Sequence, residues 1–363
     1  MQTIFFPRET ANGENRASLV PSSAKRLCAL GFRVLAGRSI GARIGIGDVA
    51  YGAAGVELVN DFASGAVEAD VVARVKCSRC EEIARMKHGA VHISFLEAEK
   101  CPGEIKAFRD AGVAAISLEM VPRSTAAQKF DALSSQANLA GYAAVLLAAM
   151  HMDRAFPMMM TPAGTIYPVN VLVIGAGVAG LQAIATAKRL GARVEAFDTR
   201  PETEEQVKSL GAKFLKIDIG EVGQTEQGYA KELSEEQMQM QREGMVAACR
   251  RADIVIAMAK VFGKTAPVLL TKEMLDRIDK KTLFVDTAIA SGGNVEGAVD
   301  GLVDYSDCVK IFGVREAEQS VAASASQTFA ENVCNFIEHF CDSTSKRVVF
   351  DRENDIIARC LVA

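Results

Sequence analysis

The run from residue 171 to residue 200 has the residue types and spacing of a dinucleotide-binding segment. Four apolar residues predict a buried strand, and Gly175, Gly177 and Gly180 follow in a G-x-G-x-x-G spacing. The first glycine permits a tight turn, the second lets the backbone approach a pyrophosphate, and the third lets the next helix pack closely on the strand. Because the amino end of that helix offers free N–H groups to phosphate oxygens, the pattern predicts dinucleotide binding.

Asp198 ends a second apolar run, 18 positions after the last glycine. An acid at this place accepts hydrogen bonds from the adenosine ribose hydroxyls. A 2′-phosphate beside it would cost on the order of 4 kcal/mol for each pair of unit charges at ~4 Å and a dielectric of ~20. Asp198 therefore favours NAD(H) over NADP(H). Arg200 either offsets part of that cost by holding a 2′-phosphate or is a solvated surface residue.

We predict that the cofactor contacts the glycine-rich loop, the acidic turn, a later strand end and one isolated aromatic residue. These residues are Gly175, Ala176, Gly177, Val178, Ala179, Gly180, Asp198, Thr199, Arg200, Tyr229, Ala257 and Met258. Tyr229 lies in a polar segment, residues 218–241, that interrupts the alternation of strands and helices. This segment is either a mobile lid over the nucleotide or a solvated loop that leads into a helix.

Composition limits the class of protein. The 363 residues predict two domains, and 49% hydrophobic with 24% charged residues is ordinary for a soluble globular chain. A net charge of −4 without a basic block gives no support for binding nucleic acid or anionic lipid. The first ten residues hold an acid and a proline, unlike a signal peptide. Leu139–Met150, about 12 apolar residues, is too short to span a bilayer and predicts a buried helix. Nine scattered cysteines indicate reduced thiols in a cytosol.

The alternation of strand and helix patterns predicts an α/β fold with two Rossmann-like, doubly wound parallel-sheet domains. Predicted strands of the first half are Thr3–Phe6, Arg33–Leu35, Val67–Val75, Ala90–Phe95 and Ala114–Ser117, and its predicted helices include Ser22–Leu30 and Pro102–Ala111. After the glycine-rich loop, the later strands are predicted at Lys213–Ile217, Ile254–Met258, Thr282–Val285 and Val309–Phe312.

Two long helices are predicted to join the halves, at residues 134–155 and 326–341. We expect the last helix and the tail to return to the first domain. The first domain would then contain residues 1–133 and about 326–363, and the nucleotide-binding domain residues 134–325. The crevice between two such domains is the usual place for NAD(H) and a reaction partner.

The run from Arg123 to Tyr142 resembles the signature loop and following helix of the NAD(H)-binding component of proton-translocating NAD(P) transhydrogenases. Residues 155–164, 228–232, 263–267 and 286–294 are similar to further motifs of that family. The resemblance implies direct hydride transfer between NAD(H) on this chain and NADP(H) on a partner component. A membrane-spanning component would couple the transfer to proton translocation.

The resemblance has further implications for the reaction and for the assembly. A hydride that passes directly between two nicotinamide rings needs no general acid or base, but the rings must be held ~3–3.5 Å apart with water excluded. The chain would be a homodimer in the cytoplasm, without direct membrane insertion. It would be peripheral on the inner face of the cytoplasmic membrane through its partner components.

The resemblance also implies four catalytic residues, each of which has a structural alternative. Arg123 would hold a carboxamide or phosphate group near the nicotinamide, and Gln128 would contact the nicotinamide side. Asp131 would pair with Arg123 and shape the loop, and Ser134 would hydrogen-bond the carboxamide. Alternatively, Arg123 and Asp131 form a plain surface ion pair, and Ser134 is a helix N-cap.

Alanine dehydrogenase shares the N-terminal motifs around Glu9 and Arg16 and is the second hypothesis. Arg16 and Lys76 match the substrate-carboxylate clamp of that enzyme. Its catalytic histidine and aspartate would align with Phe95 and Ala290, which transfer no protons. An NAD(H)-binding regulator without turnover is a third hypothesis.

Other motifs leave several interpretations open. Cys77 and Cys80 form a C-x-x-C with His88 and His92 downstream, which would suit zinc, a redox pair or two unpaired thiols. No metal is predicted, because the spacing matches no common zinc site. His151 and His339 lie in helical patterns and are expected to be packed or solvated. Met158–Met160 would line the crevice or fill the core.

Overall fold

The computed structural model describes residues 1–218, 235–260, 263–342 and 344–363. The chain divides into two compact units. Unit 1 contains Met1–Gln136 and Gln319–Ala363, and unit 2 contains Ala137–Glu318. Unit 1 is therefore discontinuous in sequence, because the last 45 residues of the chain fold with the first part.

The strands, in chain order, are β1 Thr3–Phe6, β2 Arg33–Gly37, β3 Glu57–Val59, β4 Val71–Lys76, β5 Val91–Phe95, β6 Ala114–Ser117, β7 Met159–Thr161, β8 Gly164–Ile166, β9 Asn170–Ile174, β10 Arg193–Phe197, β11 Lys213–Phe214, β12 Ile254–Ala257, β13 Thr282–Asp286, β14 Gly301–Asp304, β15 Val309–Gly313, β16 Cys341–Asp342 and β17 Arg347–Val348. The α-helices are α1 Pro21–Ala29, α2 Asp48–Ala53, α3 Phe62–Ala66, α4 Cys80–Ile83, α5 Pro102–Ala111, α6 Ala132–Met150, α7 Val178–Arg189, α8 Thr203–Ser209, α9 Glu235–Arg251, α10 Lys272–Leu275, α11 Ala322–His339 and α12 Asp355–Cys360. Short 3₁₀ helices cover Ala42–Ile44, Leu118–Met120, Gln128–Phe130, Ile289–Ser291 and Ala317–Val321.

Unit 1 is built on a six-stranded sheet in the order β3-β2-β1-β4-β5-β6. All neighbouring strands in this sheet are parallel. The central strand β4 reads VVARVK and is buried along almost its whole length, as expected for a strand covered by helices on both faces. One face packs on α1 and α11, and the other on α5.

Unit 2 contains a seven-stranded sheet in the order β11-β10-β9-β12-β13-β15-β14. The strand order reverses direction at β9, so that β10 and β12 lie on either side of it. In such sheets ligands bind outside the carboxyl ends of the strands at this switch point. The predicted α/β class with two doubly wound parallel sheets is confirmed, with one addition, because β14 pairs antiparallel with β15.

Several predicted elements differ in extent or were not predicted. The strand expected at Lys213–Ile217 is only the two residues of β11. The hairpin of β7 and β8 was not predicted, and its six residues are all exposed. The interpretation that Met158–Met160 fill the core was wrong, because Met160 is 85% exposed. Their place in a crevice stays a prediction.

Helix α6 is longer than the apolar stretch suggested. It has 19 residues with a mean hydropathy of 1.2 over its most apolar window, and a third of that window (33%) is buried. It is the one helix among the described residues that is long and apolar enough to cross a membrane. The prediction that the apolar stretch Leu139–Met150 is too short to span was therefore wrong, whereas α6 covers most of the long helix predicted at residues 134–155. Because core helices of soluble proteins pass the same test, this is weak evidence for a span.

Candidate functional site

The glycine-rich loop of unit 2 connects β9 to α7, and each glycine has a distinct geometric reason. Gly175 has φ +97°, in the region that glycine adopts without strain. A Cβ added at Gly180 would lie 1.8 Å from the carbonyl oxygen of Gly175, so only glycine lets α7 come this close to the loop. A Cβ at Gly177 would meet nothing nearer than Arg200 Nη2 at 3.9 Å, so the backbone is open to an approaching group.

The amino end of α7 is available to an anion. Gly177 is its N-cap residue, and no side chain caps the helix. The N–H groups of the first turn, which begins with Val178 and Ala179, have no partner within the helix, and they carry a partial positive charge. Helix α6 packs against this turn without an intervening side chain, because a Cβ at Gly141 would lie 2.0 Å from the Ala179 carbonyl oxygen.

Asp198 lies directly after β10 and faces the glycine-rich loop. Its Oδ2 accepts a hydrogen bond from the Ala176 amide at 2.7 Å. Its two oxygens also accept from Arg200 Nε and Nη2, both at 3.0 Å. Burial alone would raise the pKa of the Asp198 carboxyl, but the hydrogen bonds and the charge of Arg200 hold it below its ordinary value. The carboxylate is thus ionised and fixed beside the loop, while Thr199 and Arg200 are exposed.

The carboxyl end of β12 lies beside that of β9, and Met258 N donates to Ile174 O at 2.9 Å. Ala257 is buried, and Met258 is 9% exposed. The next loop is held by Asn294, which accepts from the Ala259 amide at 2.9 Å and donates to the Ala259 carbonyl oxygen at 2.8 Å. Sequence reasoning did not assign this role to Asn294. In the structure, Asn294 is marked as a loop-positioning residue because it is fully buried and follows two glycines with positive φ.

Asp286 is a second positioning residue that sequence reasoning missed. It ends β13, is fully buried, and accepts from the amides of Ala288, Asn294 and Val295 at 2.7, 2.7 and 2.9 Å. A carboxylate that satisfies three backbone N–H groups fixes the loop around it. Asp286 and Asn294 therefore give the loops after β12 and β13 a defined shape.

The four predicted catalytic residues lie in unit 1, on the segment that leads into α6. The buried Phe130 anchors this segment, with its ring 5.4 Å from Phe336 and 5.2 Å from His339. Asn332 and Asn335 donate to the carbonyl oxygen of Lys129 at 3.1 and 2.9 Å. Two amide side chains of α11 therefore fix the backbone of this segment at Lys129.

The same segment presents two predicted catalytic side chains to solvent. Arg123 and Gln128 are exposed, and neither side chain has a hydrogen-bond partner among the described residues. The expected pairing of Asp131 is wrong in this structure. Its carboxylate accepts from the Ser134 amide at 2.9 Å and from Ser134 Oγ at 2.6 Å, and no described ion pair joins it to Arg123.

Asp131 is thus the residue that caps α6, and Ser134 is not. The alternative that Ser134 is the N-cap was wrong, because Ser134 lies three residues into the turn that Asp131 caps. Tyr229, the predicted lid residue, lies outside the described residues. The predicted catalytic residues belong to unit 1, and the described residues of the predicted cofactor-binding set belong to unit 2.

The residues that suggested a substrate-carboxylate clamp have other partners. Arg16 is 3% exposed, and its guanidinium donates to both carboxylate oxygens of Glu14, at 2.8 and 2.7 Å, and to Gln136 at 3.0 Å. Burial alone would raise the pKa of Glu14, but the hydrogen bonds and charge of Arg16 lower it below its ordinary value. Arg16 is therefore a buried ion-pair partner of Glu14.

The remaining motifs offer no reactive centre among the described residues. All nine cysteines are free, and burial raises the pKa of the Cys77 thiol to about 12, opposite to an activated thiol. No group of three potential ligands for a metal ion occurs in the described part of the chain. His151 packs against Phe312 at 4.4 Å and His339 against Phe130, so both histidines have packing roles.

Family models match nearly the whole chain. The alanine dehydrogenase/PNT N-terminal domain matches residues 5–140, and the C-terminal domain of the same family matches residues 144–363. The chain belongs to the alanine dehydrogenase/PNT family. This family explains the two Rossmann-like units and supports the use of a nucleotide cofactor.

Within this family the chain is more similar to the transhydrogenase alpha subunit of Rhodospirillum rubrum than to alanine dehydrogenase of Mycobacterium tuberculosis. It is 41% identical to an NAD(P) transhydrogenase alpha subunit of Rhodospirillum rubrum, over 98% of this chain and 94% of the relative. A crystal structure of transhydrogenase from Sinorhizobium meliloti matches with a TM-score of 0.88 and 39% identity, over 99% of this chain and 98% of that one. Alanine dehydrogenase of Mycobacterium tuberculosis is 30% identical over 83% of this chain and 76% of the relative.

Proposed function

We propose that this chain is the NAD(H)-binding component of a proton-translocating NAD(P) transhydrogenase. Hydride passes directly between NAD(H) on this chain and NADP(H) on a partner component, and a membrane-spanning component couples the transfer to proton movement. The observation that carries the proposal is the glycine-rich loop with an ionised Asp198 beside it, in a chain whose Phe95 and Ala290 have no titratable group. Alanine dehydrogenase chemistry needs proton transfer at those two places.

The residues present fit a dinucleotide. The open backbone at Gly177 and the uncapped amino end of α7 suit a pyrophosphate, and the Asp198 carboxylate suits the ribose hydroxyls. Ala257 is fully buried and Met258 is 9% exposed where β12 ends beside β9, and we propose that these residues border the cofactor site. We propose that Thr199 and Arg200 contact the cofactor beside its adenosine ribose.

We propose that the site selects NAD(H). A 2′-phosphate would bring its charge to an ionised carboxylate that is only 8% exposed. Arg200 does not act as a free phosphate ligand here, because Asp198 already accepts from two of its guanidinium nitrogens. Asp198→Ala should therefore narrow the preference for NADH over NADPH in equilibrium binding, and an unchanged preference would contradict this assignment.

The mechanism requires positioning and no acid or base. The nicotinamide of bound NAD(H) supplies or accepts the hydride. Gln128 and Arg123 reach from an anchored segment with their amide and guanidinium groups unpaired among the described residues, so they are free to bind and orient polar groups of the nicotinamide end. Asp131 fixes the Ser134 hydroxyl and the start of α6, which makes Asp131 a positioning residue for Ser134.

We propose that the chain is a homodimer and that the hairpin of β7 and β8 contributes to the interface. Met158, Met160 and Tyr167 are 61%, 85% and 65% exposed in or beside this hairpin. Large contiguous patches of exposed apolar side chains mark interaction sites on soluble proteins. Met160→Asp should shift the sedimentation coefficient towards that of a monomer. An unchanged coefficient would place the interface elsewhere.

We propose a cytoplasmic location, peripheral on the inner face of the membrane through the partner components. Expressed alone, the chain should appear in the soluble fraction, and with its partners it should sediment with membranes and leave them in high salt. Recovery in membranes without partners would instead indicate direct contact of α6 with lipid.

The decisive experiment mixes this chain with the NADP(H)-binding component of a transhydrogenase and follows hydride transfer from NADH to an NADP⁺ analogue. Turnover only with both components would support the proposal. Turnover of alanine or pyruvate by the chain alone would favour the alanine dehydrogenase hypothesis, and NADH binding without either reaction would favour a regulator.

A substitution at Gln128 distinguishes a role in hydride transfer from a role in NADH binding. Gln128→Asn should slow hydride transfer at least about tenfold, while the Kd for NADH changes less than about threefold, because it shortens a positioning side chain. Lys129→Gln, at the neighbouring exposed position, is the matched control and should leave both quantities unchanged. Equal losses of rate and affinity in Gln128→Asn would make Gln128 a binding residue only.

A further inference from the structure

A cavity of about 260 Å³ lies at the amino edge of the unit 1 sheet. Asp70 precedes β4, and Ala114 begins β6, so the cavity lies where these parallel strands start. Ligands of doubly wound sheets bind at the opposite edge, outside the carboxyl ends of the strands. The cavity is therefore separate from any nucleotide site of this sheet type.

The C-terminal tail builds the outer wall of this cavity. Val348 N donates to Gln2 Oε1 at 2.8 Å, which ties the tail to the start of the chain. Beyond α12, Val362 N donates to Ala115 O at 2.9 Å, and Ala115 N donates to Ala363 O at 3.0 Å. Because one end of the wall is hydrogen-bonded to Gln2, next to β1, and the other to β6, the cavity is a fixed part of the fold.

Two arginines give the cavity an excess of positive charge. Arg347 and Arg352 line it, and neither guanidinium has a hydrogen bond or ion pair with any described residue. Asp70 is the acid of the lining, and Lys87 already pairs with it at 2.6 Å. Burial would raise the pKa of Asp70. The hydrogen bonds that Asp70 accepts from Lys87 Nζ and the Thr3 amide, together with the charges of Lys87 and Arg347, hold this pKa below its ordinary value, so the carboxylate is ionised.

Apolar side chains form part of the remaining lining. Phe350 and Leu361 are half-buried in the wall of the cavity, whereas Ile116, at its base, is fully buried and offers no surface to a ligand. A volume of 260 Å³ is close to the lower limit for small-molecule pockets, and an apolar lining with a few polar groups is their usual composition. Unpaired guanidinium groups prefer carboxylate or phosphate partners.

We propose that this cavity binds a small organic anion, with its carboxylate or phosphate group on Arg347 and Arg352 and its apolar body against Phe350 and Leu361. The inference does not depend on the proposed hydride transfer. It assigns unit 1 a separate ligand site at the amino ends of its strands.

Isothermal titration calorimetry of the full chain with benzoate, acetate and inorganic phosphate tests this site. Benzoate should bind saturably and more tightly than acetate or phosphate, because only benzoate has an apolar ring. The double variant Arg347→Gln/Arg352→Gln should weaken benzoate binding at least about tenfold, since it removes both charged donors. Arg359→Gln, on the exposed side of α12, is the matched control and should bind benzoate like the wild type.

Circular dichroism separates loss of the fold from loss of the site. If the double variant is unfolded, Arg352→Gln alone provides the test, because Arg352 is exposed and outside any strand or helix. Undetectable benzoate binding, or equal binding in the wild type and the folded arginine variant, would overturn the proposal. Binding of phosphate as tight as that of benzoate would overturn the role of the apolar wall.

Discussion

The buried histidine of unit 1 predicts how the stability of this protein depends on pH. His92 lies on β5 with no exposed surface, its Nε2 is 3.0 Å from Ser94 Oγ, and its ring stacks on Phe108 at 4.9 Å. Burial, and then the charge of Arg74, lower the pKa of His92 from 6.5 to about 3. The folded protein therefore keeps this imidazole neutral at pH values where the unfolded chain protonates it.

The magnitude follows from these two pKa values. Because the folded pKa lies below the unfolded one, the unfolded state binds more protons as the pH falls below 6.5. Stability is fully present above pH 6.5 and is lost with a limiting slope of about 1.4 kcal/mol per pH unit until the folded group titrates near pH 3. Between pH 7 and pH 5 this residue should cost about 2 kcal/mol of the free energy of unfolding.

His92→Gln removes the titration and keeps an amide that can bond to Ser94. Urea unfolding at pH 7, 6 and 5, followed by far-UV circular dichroism because the chain has no tryptophan, should show a pH dependence about 2 kcal/mol weaker than that of the wild type. His88→Gln, at an exposed position, should keep the wild-type dependence. If His92→Gln and the wild type lose the same free energy from pH 7 to pH 5, the buried neutral histidine is not the cause.

Four further substitutions test the nucleotide unit. Gly180→Ala places a Cβ 1.8 Å from a carbonyl oxygen and should lower both Tm and the affinity for NADH. Gly177→Ala places its Cβ in open space and should reduce the affinity for NADH at an unchanged Tm. Equal Tm values of the two variants by calorimetry would contradict the packing argument. Asp198→Ala should weaken NADH binding by ~1–3 kcal/mol in titration calorimetry, and wild-type affinity would remove the ribose assignment. Asp253→Ala should cost ~1–3 kcal/mol in urea unfolding, because it leaves the Asn170 amide, now bonded at 2.8 Å, without an acceptor. An unchanged midpoint for Asp253→Ala would mean that water replaces the carboxylate.

The parts of the fold that depend on local pattern could be predicted from the sequence. β6 and α5 have the predicted bounds, because a short apolar run between polar residues and a proline at a helix start are local signals. The turn at Gly175 and the close packing at Gly180 were predictable for the same reason, since the spacing of the glycines encodes both.

Features that depend on distant or exposed residues were not predictable. The β7–β8 hairpin has no buried face, so no alternation of apolar and polar residues marks it. The contact of Asp131 with Ser134, in place of Arg123, depends on the exact start of α6, and helix boundaries are poorly defined by sequence. The roles of Asp286 and Asn294 depend on which loop amides face them.

The contacts at Gly141 and Gly180 have a mechanical consequence. Most helix interfaces absorb a small displacement when side chains change rotamer. Here the distances of 2.0 Å and 1.8 Å from a hypothetical Cβ to the opposing carbonyl oxygen leave no side chain to yield. The backbones of α6, α7 and the glycine-rich loop are therefore in direct contact, and we expect a shift of the middle of α6 to displace the loop.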